Sequence, residues 1–259
     1  MDLELGKADL VEMAANQVKG ASQRGIQVVS TLPIQLWALV FRRDSPAAQT
    51  ERLRESLALS VDRASAHTVL LQRQGELSGA LLPQWMSGYA FLFSITRNLS
   101  QAKARLAGLP SPSLSLAYDN QDAVERSIAE RIAVNAREAG IVLKTLAEPT
   151  MAGVADVRLL RVPVTSTHAG DALAQLARDL SLPSVAVPND STEALYHAEQ
   201  ALLKTFWVVP LFHLPSTYGL SQALKSAARI PSSSDTAADW ELPALEWLWL
   251  GLPGTRGAL

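Results

Sequence analysis

The sequence has no cysteine in 259 residues. That excludes disulfides, thiolate metal sites and thiol nucleophiles together, and is compatible with either a cytosolic or an exported location. Charge of one sign is also lacking: 23 Lys and Arg stand against 25 Asp and Glu, a net charge of −2. No general field favours nucleic acid or an anionic membrane, so no nucleic-acid partner is expected. The longest apolar runs, Leu36 to Phe41 and Phe206 to Leu211, fall far below the roughly 20 residues of a membrane-spanning helix. The start, MDLELGKADLVEM, opens on acidic residues where a secretory signal has a basic start and an unbroken apolar run, so no export signal is expected in it. Signatures of chemistry are missing too. His67, His168, His197 and His213 lie far apart, and neither HExxH, GxSxG, GxxxxGK[ST] nor GxGxxG occurs. No catalytic residue, metal site or cofactor is expected, and the chain does not read as an enzyme.

What is present is apolar material: 48% of the residues are hydrophobic, enough for the cores of one or two domains. Residues 3–24 mix Leu, Val and Met with charges at helical spacing. Gly25 then introduces IQVVSTLP, a short β-branched strand ended by Pro33. The apolar run Ile34 to Phe41 has the length and aromatic content of a buried strand. From Thr50, an N-cap type, Leu53, Leu57, Val61 and Ala64 fall on one helix face. A second helical piece carries Val69 and Leu70 and stops at Gly75.

The stretch ELSGALLPQWMSGYAFLFSITRN, rich in Pro, Gly and aromatics without a sustained period, reads as a long ordered loop of a kind that often faces ligands. After the short helix LSQAKARLAG comes the clearest unit. Leu114 to Tyr118 alternates as a strand, Val124, Ile128, Ile132 and Ala136 recur every four residues, Gly140 ends the helix, and Ile141 to Leu146 resumes as a strand. This is a βαβ unit whose helix would be capped by Asp119 or Asn120. A strand ADVRLLRVPV, helices at Gly170 to Leu180 and Thr192 to Thr205, the strand WVVPLFHL and a final strand in WELPALEWLWL complete the pass.

Several pieces match one family in content and order. They are GKADLVEM near the start, the strand followed by a helix with Arg54, Leu57, Asp62 and Arg63, the loop GALLPQW, the helix with Ala102 and Lys103, the βαβ unit, and EALYHAEQALLKTFWVVPLFHLPSTYGL with Pro210. In that order the chain resembles the carboxy-terminal part of extracellular solute-binding proteins of family 5, the peptide, nickel and oligosaccharide receptors of bacterial ABC transporters. The resemblance implies an α/β fold, a mixed sheet with flanking helices forming a periplasmic-binding-protein-like type II lobe, and lacking much of the first lobe, as in a truncated receptor. Residues 1–40 would be the end of lobe I and the hinge crossing, 41–205 lobe II, and 206–259 the return to lobe I. It further implies a monomer that binds a small, peptide-like solute by interlobe closure without catalysis. The partner would be an ABC permease, and the location periplasmic or extracellular, associated with the membrane through the transporter. A solute-sensing regulatory domain of the same fold is the alternative.

Candidate ligand-binding residues are Trp37, Trp85, Tyr89, Arg161 and His213. Aromatic walls with few polar groups suit a small-molecule cleft, and core packing is the other account of Trp37, Trp85 and Tyr89. Arg161 lies on the strand where peptide-binding relatives present a Trp and then an amine-pairing Asp. Here Val162 and Pro163 follow, with no Asp before Asp171. Arg161 is then either a ligand contact or a surface cation, and His213 either faces solute or is a hydrogen-bonded core residue. His168 with Asp171, and His197 with Glu199, read as solvated helix-start or helix-face residues. Arg126 is spaced to reach Glu130 at i,i+4.

Overall fold

The β-branched run after Gly25 and the apolar run after Pro33 form one strand. The computed structural model describes residues 3–89, 93–110, 112–148, 154–185, 187, 191–221 and 224. In chain order the elements are β1 (Leu10–Glu12), α1 (Val18–Gln23), β2 (Gln27–Phe41), α2 (Glu51–Ser60), α3 (Arg63–Val69), β3 (Glu76–Leu77), α4 (Gln84–Ser87) and α5 (Leu99–Leu106). They continue with β4 (Ser113–Asp119), α6 (Ala123–Ala139), β5 (Val142–Glu148), β6 (Val157–Pro163), α7 (Ala169–Asp179), α8 (Thr192–Leu203) and β7 (Val208–Leu220). The described residues up to Leu32 and from Pro215 on make one compact unit, and the described residues from Pro33 to Leu214 the other. The final strand expected in WELPALEWLWL lies outside the described residues.

In the first unit, β1 runs antiparallel to β7, with Leu10 opposite Leu220 and Glu12 opposite Tyr218. The hydroxyls of Ser30 and Thr217 meet at 2.9 Å, and the Ser216 N–H donates to Thr31 Oγ1 at 3.0 Å. The helix expected over residues 3–24 is thus mostly replaced. Its apolar Leu10 and Val11 take up ladder positions on β7, and only Val18–Gln23 is α-helical. Helical spacing is a weak preference here, and a strand edge offering backbone hydrogen bonds overrides it.

The second unit is an α/β sandwich around a mixed sheet. From Gln35 to Phe41, β2 runs antiparallel to β6; β6 is parallel to β4, and β4 to β5 in the register Ser113 opposite Val142 to Asp119 opposite Glu148. Short β3 lies antiparallel on β7, with Glu76 opposite His213 and Leu77 opposite Phe212. Because side chains alternate across a strand, Leu36 and Ala38 of β2 and Val162 of β6 face one way. There they pack with Leu173 and Leu176 of α7 and with α8. Trp37, Leu39 and Arg161 face the other way, toward the layer of α6, which packs on β4 and β5 and against α2 and α5.

The βαβ unit is β4–α6–β5. Val124, Ile128, Ile132 and Ala136 are all buried, each large aliphatic contributing roughly 1.5–3 kcal/mol by leaving water. The helix cap is Asp122, whose Oδ1 accepts from Val124 N at 2.8 Å and Glu125 N at 3.1 Å, two residues beyond the expected Asn120. Gly140 ends the helix at φ 99°, a left-handed position open to glycine. Arg126 reaches back to the Asn120 carbonyl at 3.3 Å, in place of the expected Glu130 pairing.

Two other expectations are corrected. Pro33 does not end a strand: β2 passes through it, and the ladder to β6 begins only at Gln35, so the missing proline N–H forfeits no ladder bond there. The single apolar stripe Leu53–Leu57–Val61–Ala64 is interrupted, since α2 stops at Ser60 and Asp62 caps a new helix by accepting from Ser65 N at 3.0 Å. In that new helix Arg63 and Ala66 turn inward while Ala64 is exposed.

Candidate functional site

At one end of the β2–β6 ladder an exposed aromatic ring and a run of polar groups gather. Val164, just past β6, donates its N–H to the Ile34 carbonyl at 2.7 Å. Next to Ile34, the Pro33 carbonyl accepts the Trp85 indole N–H at 3.0 Å, so a ring that is 41% exposed is held in a fixed direction. Gln175 of α7 clamps the strand exit: its Nε2 donates to Pro163 O at 3.0 Å and its Oε1 accepts from Thr165 N at 3.2 Å. Thr165, Thr167 and His168 follow as exposed residues at the carboxyl end of β6. In open α/β sheets, ligands bind beyond the carboxyl ends of the strands.

Trp85 sits on α4, in the loop between β3 and α5, and that loop is fastened from beneath. Gly75 precedes it at φ 71°, where a Cβ would lie 2.2 Å from the His213 carbonyl oxygen, so a side chain is excluded. Glu76 Oε1 then accepts from Gln84 N at 2.8 Å. Glu199 of α8, fully buried, accepts from the N–H groups of both Leu81 and Leu82, the latter at 3.0 Å, and from the Tyr89 hydroxyl. Burial pushes its carboxyl up to about 7, against the opposing pull of those three donors. His213 Nε2 bonds the Leu81 carbonyl at 2.8 Å, so the Leu81 peptide is held at both its N–H and its C=O. Tyr89 is buried, edge-on to Tyr196 at 5.8 Å and tilted against Phe93 at 5.9 Å. Burial and the neighbouring Glu199 carboxylate both raise its hydroxyl pKa.

On the opposite face of the same ladder end, Arg161 stands directly across from Trp37, its guanidinium 5.4 Å over the indole ring. Three carboxylates surround it: Asp122 at 3.0 Å, Glu125 at 3.6 Å and Asp119 at 3.9 Å. Glu125 is nearly buried, and desolvation lifts its carboxyl to about 7, although the Asp119 N–H and Arg161 work in the other direction. This cluster ties the exit of β4 and the start of α6 to β6. The Trp37 indole N–H has no hydrogen-bond partner among the described residues.

The five candidate residues therefore fall into two pairs and one residue that stands apart. Trp37 and Arg161 are brought together, as are Tyr89 and His213 through Leu81 and Glu199, while Trp85, unlike Trp37 and Tyr89, presents its ring to solvent. Glu199 was not singled out for this role. Instead of a solvated helix-face residue it is wholly buried, whereas His197 is exposed as expected. A signal was present: Glu199 follows the buried Leu195 by four residues and precedes Leu202 by three, so it shares their helix face.

No family model matches the sequence, and no curated protein does. Solved structures do match in fold. The PBP AgaA in complex with agropinic acid, from A. tumefacien R10, aligns at 15% identity with a TM-score of 0.70, covering 85% of this chain and 52% of that one. A dipeptide binding protein from Pseudoalteromonas sp. SM9913 in complex with Met-Leu gives 13% identity, TM-score 0.70, and coverage of 85% and 51%. NikA from Brucella suis in complex with Fe(III)-EDTA gives 14% identity, TM-score 0.66, and coverage of 89% and 56%. The chain thus spans about half the length of the substrate-binding proteins it matches, and at these identities the likeness is one of fold. Among the described residues no helix is long and apolar enough to cross a membrane.

Proposed function

We propose that this chain is a solute-binding component of an ABC-type importer, taking a peptide-like ligand and acting by binding without bond chemistry. The observation that carries the reading is the fold likeness over 85–89% of the chain to solute receptors whose bound molecules are a dipeptide, agropinic acid and a metal chelate. Exposed Trp85 and the polar groups Thr165 to His168, at the carboxyl end of β6, supply the combination that a small polar solute with apolar side groups requires. In this reading residues 41–205 are the second lobe, residues 1–40 and 206–259 belong to the first lobe and hinge, and the liganded form docks on a permease outside the cytoplasm. The solute must contact the closed form better than the open one, since only differential affinity shifts the equilibrium.

A thermal-shift screen of the chain against pooled di- to hexapeptides, nickel and short sugars tests this. A ligand at a hundredfold over its Kd stabilises the folded state by about 2.7 kcal/mol, which raises the melting temperature by roughly 5–10 °C in a domain of this size. The peptide pool is expected to give that rise. A sharp melting transition unmoved by any pool would count against the reading.

A further inference from the structure

We propose that Glu76 and His213 share a single proton and form an acid-closed clasp beneath the loop that carries Trp85. His213 is fully buried and its Nε2 faces the Leu81 carbonyl at 2.8 Å. A carbonyl can only accept, so Nε2 carries the hydrogen and Nδ1 of the neutral ring is a bare lone pair. That Nδ1 has no hydrogen-bond partner among the described residues, and Glu76 Oε1, across the ladder on β3, stands 3.6 Å from it. With Glu76 ionised, two acceptors confront each other. One proton placed between them, on either atom, converts the confrontation into a hydrogen bond.

The same Glu76 oxygen accepts from Gln84 N at 2.8 Å, at the first residue of α4 and next to Trp85. Proton uptake therefore links β7, β3 and the start of α4 in one connected path. The Glu76 side chain is 24% exposed, which gives protons a route from solvent to an otherwise closed site. Burial acts on the two partners in the matching sense, raising Glu76 and holding His213 neutral down to about 4, so the pair takes up its proton as a unit with Glu76 as the entry point.

The charged and titratable groups around the pair come from three other elements. From α3, Arg63 is buried with its Nε on the Pro210 carbonyl at 3.0 Å, and its charge opposes uptake. His67, also on α3, bonds the Gly75 carbonyl at 3.2 Å and stacks on Phe212. From α8 and the far side of the Leu81 peptide come Glu199, whose carboxyl is raised by burial to about 7 so that it adds no negative charge at pH 5, and the Tyr89 hydroxyl that it holds. If Trp85 faces the solute, binding strengthens in acid. That consequence rests on the proposed function, whereas the clasp itself does not.

Hydrogen–deuterium exchange of the segment 78–89 in the full chain, with no solute present and intrinsic rates corrected for pH, reads the clasp directly. In a Glu199→Gln background, which removes the other carboxyl that titrates against this segment, protection is expected to be roughly tenfold greater at pH 5 than at pH 8, the effect of one hydrogen bond gained. Adding Glu76→Gln, whose carboxamide takes up no proton, should remove that pH dependence. In that background, equal protection at the two pH values with Glu76 present, or an unchanged pH dependence after Glu76→Gln, would overturn the proposal. Absence of solute binding alongside the predicted exchange pattern would instead overturn the receptor reading alone.

Discussion

Replacing Glu199 with Ala should destabilise the protein by about 3–5 kcal/mol, read as a lower urea midpoint at unchanged slope. The substitution strands three donors in a dry site: the Leu81 and Leu82 N–H groups and the Tyr89 hydroxyl. Each unpaired buried donor carries a penalty of about 1–3 kcal/mol, and partial relaxation keeps the total below the full sum. Glu199→Gln keeps a carbonyl for the two N–H groups and an amide for the tyrosine oxygen, so its loss should be about 1 kcal/mol or less. The pair of variants also isolates a pH effect. Burial holds the Glu199 carboxyl at about 7 in the folded chain against an ordinary 4.5. The folded state thus binds the proton more tightly, and the stabilisation is fully present below 4.5 and lost as pH rises through 7. Relative to Glu199→Gln, wild type should lose about 3 kcal/mol between pH 4 and pH 8. A difference that stays constant over that range would mean that burial leaves the Glu199 carboxyl at its ordinary pKa.

Phe212→Ala is expected to lower stability by about 3–5 kcal/mol in the same assay. Phe212 is fully buried on β7, opposite Leu77 of β3 and stacked on His67 at 6.4 Å between ring centres. Its removal opens a cavity where β3 joins the sheet. The loss should be accompanied by faster exchange in the segment 78–89, whereas Phe212→Leu, which refills most of the space, should lose about 1 kcal/mol. A loss under 1 kcal/mol for Phe212→Ala would show that β3 is not seated on that ring.

The sequence carries its clearest structural information where contacts are local. Val124, Ile128, Ile132 and Ala136 repeat at helical spacing before Gly140, and the β4–α6–β5 unit follows from that pattern alone. The α/β fold class, a mixed sheet with flanking helices, was legible for the same reason. Residues whose environment is set from afar were not. Glu199 is buried by Leu81 and Leu82, more than a hundred positions earlier, so its helix alone suggests a charge in water. Leu10 and Val11 carry a weak helical pattern that the distant β7 converts to a strand. On the candidate loop, Trp85 and Tyr89 are four residues apart with opposite fates: one ring is held outward by Pro33, while the other is drawn inward by Glu199. Nothing in the composition of that loop distinguishes them, because the partners that decide lie on β2 and α8.

The central claim is that the folded chain holds a solute. Equilibrium dialysis of the purified protein against a mixed pool of di- to hexapeptides, followed by mass spectrometry of what the protein retains after denaturation, tests it most directly. A restricted set of peptides is expected to be retained, approaching one per chain and sharply reduced by Trp85→Ala. Retention of nothing above the level of an unrelated protein, by a chain that still unfolds cooperatively, would contradict it.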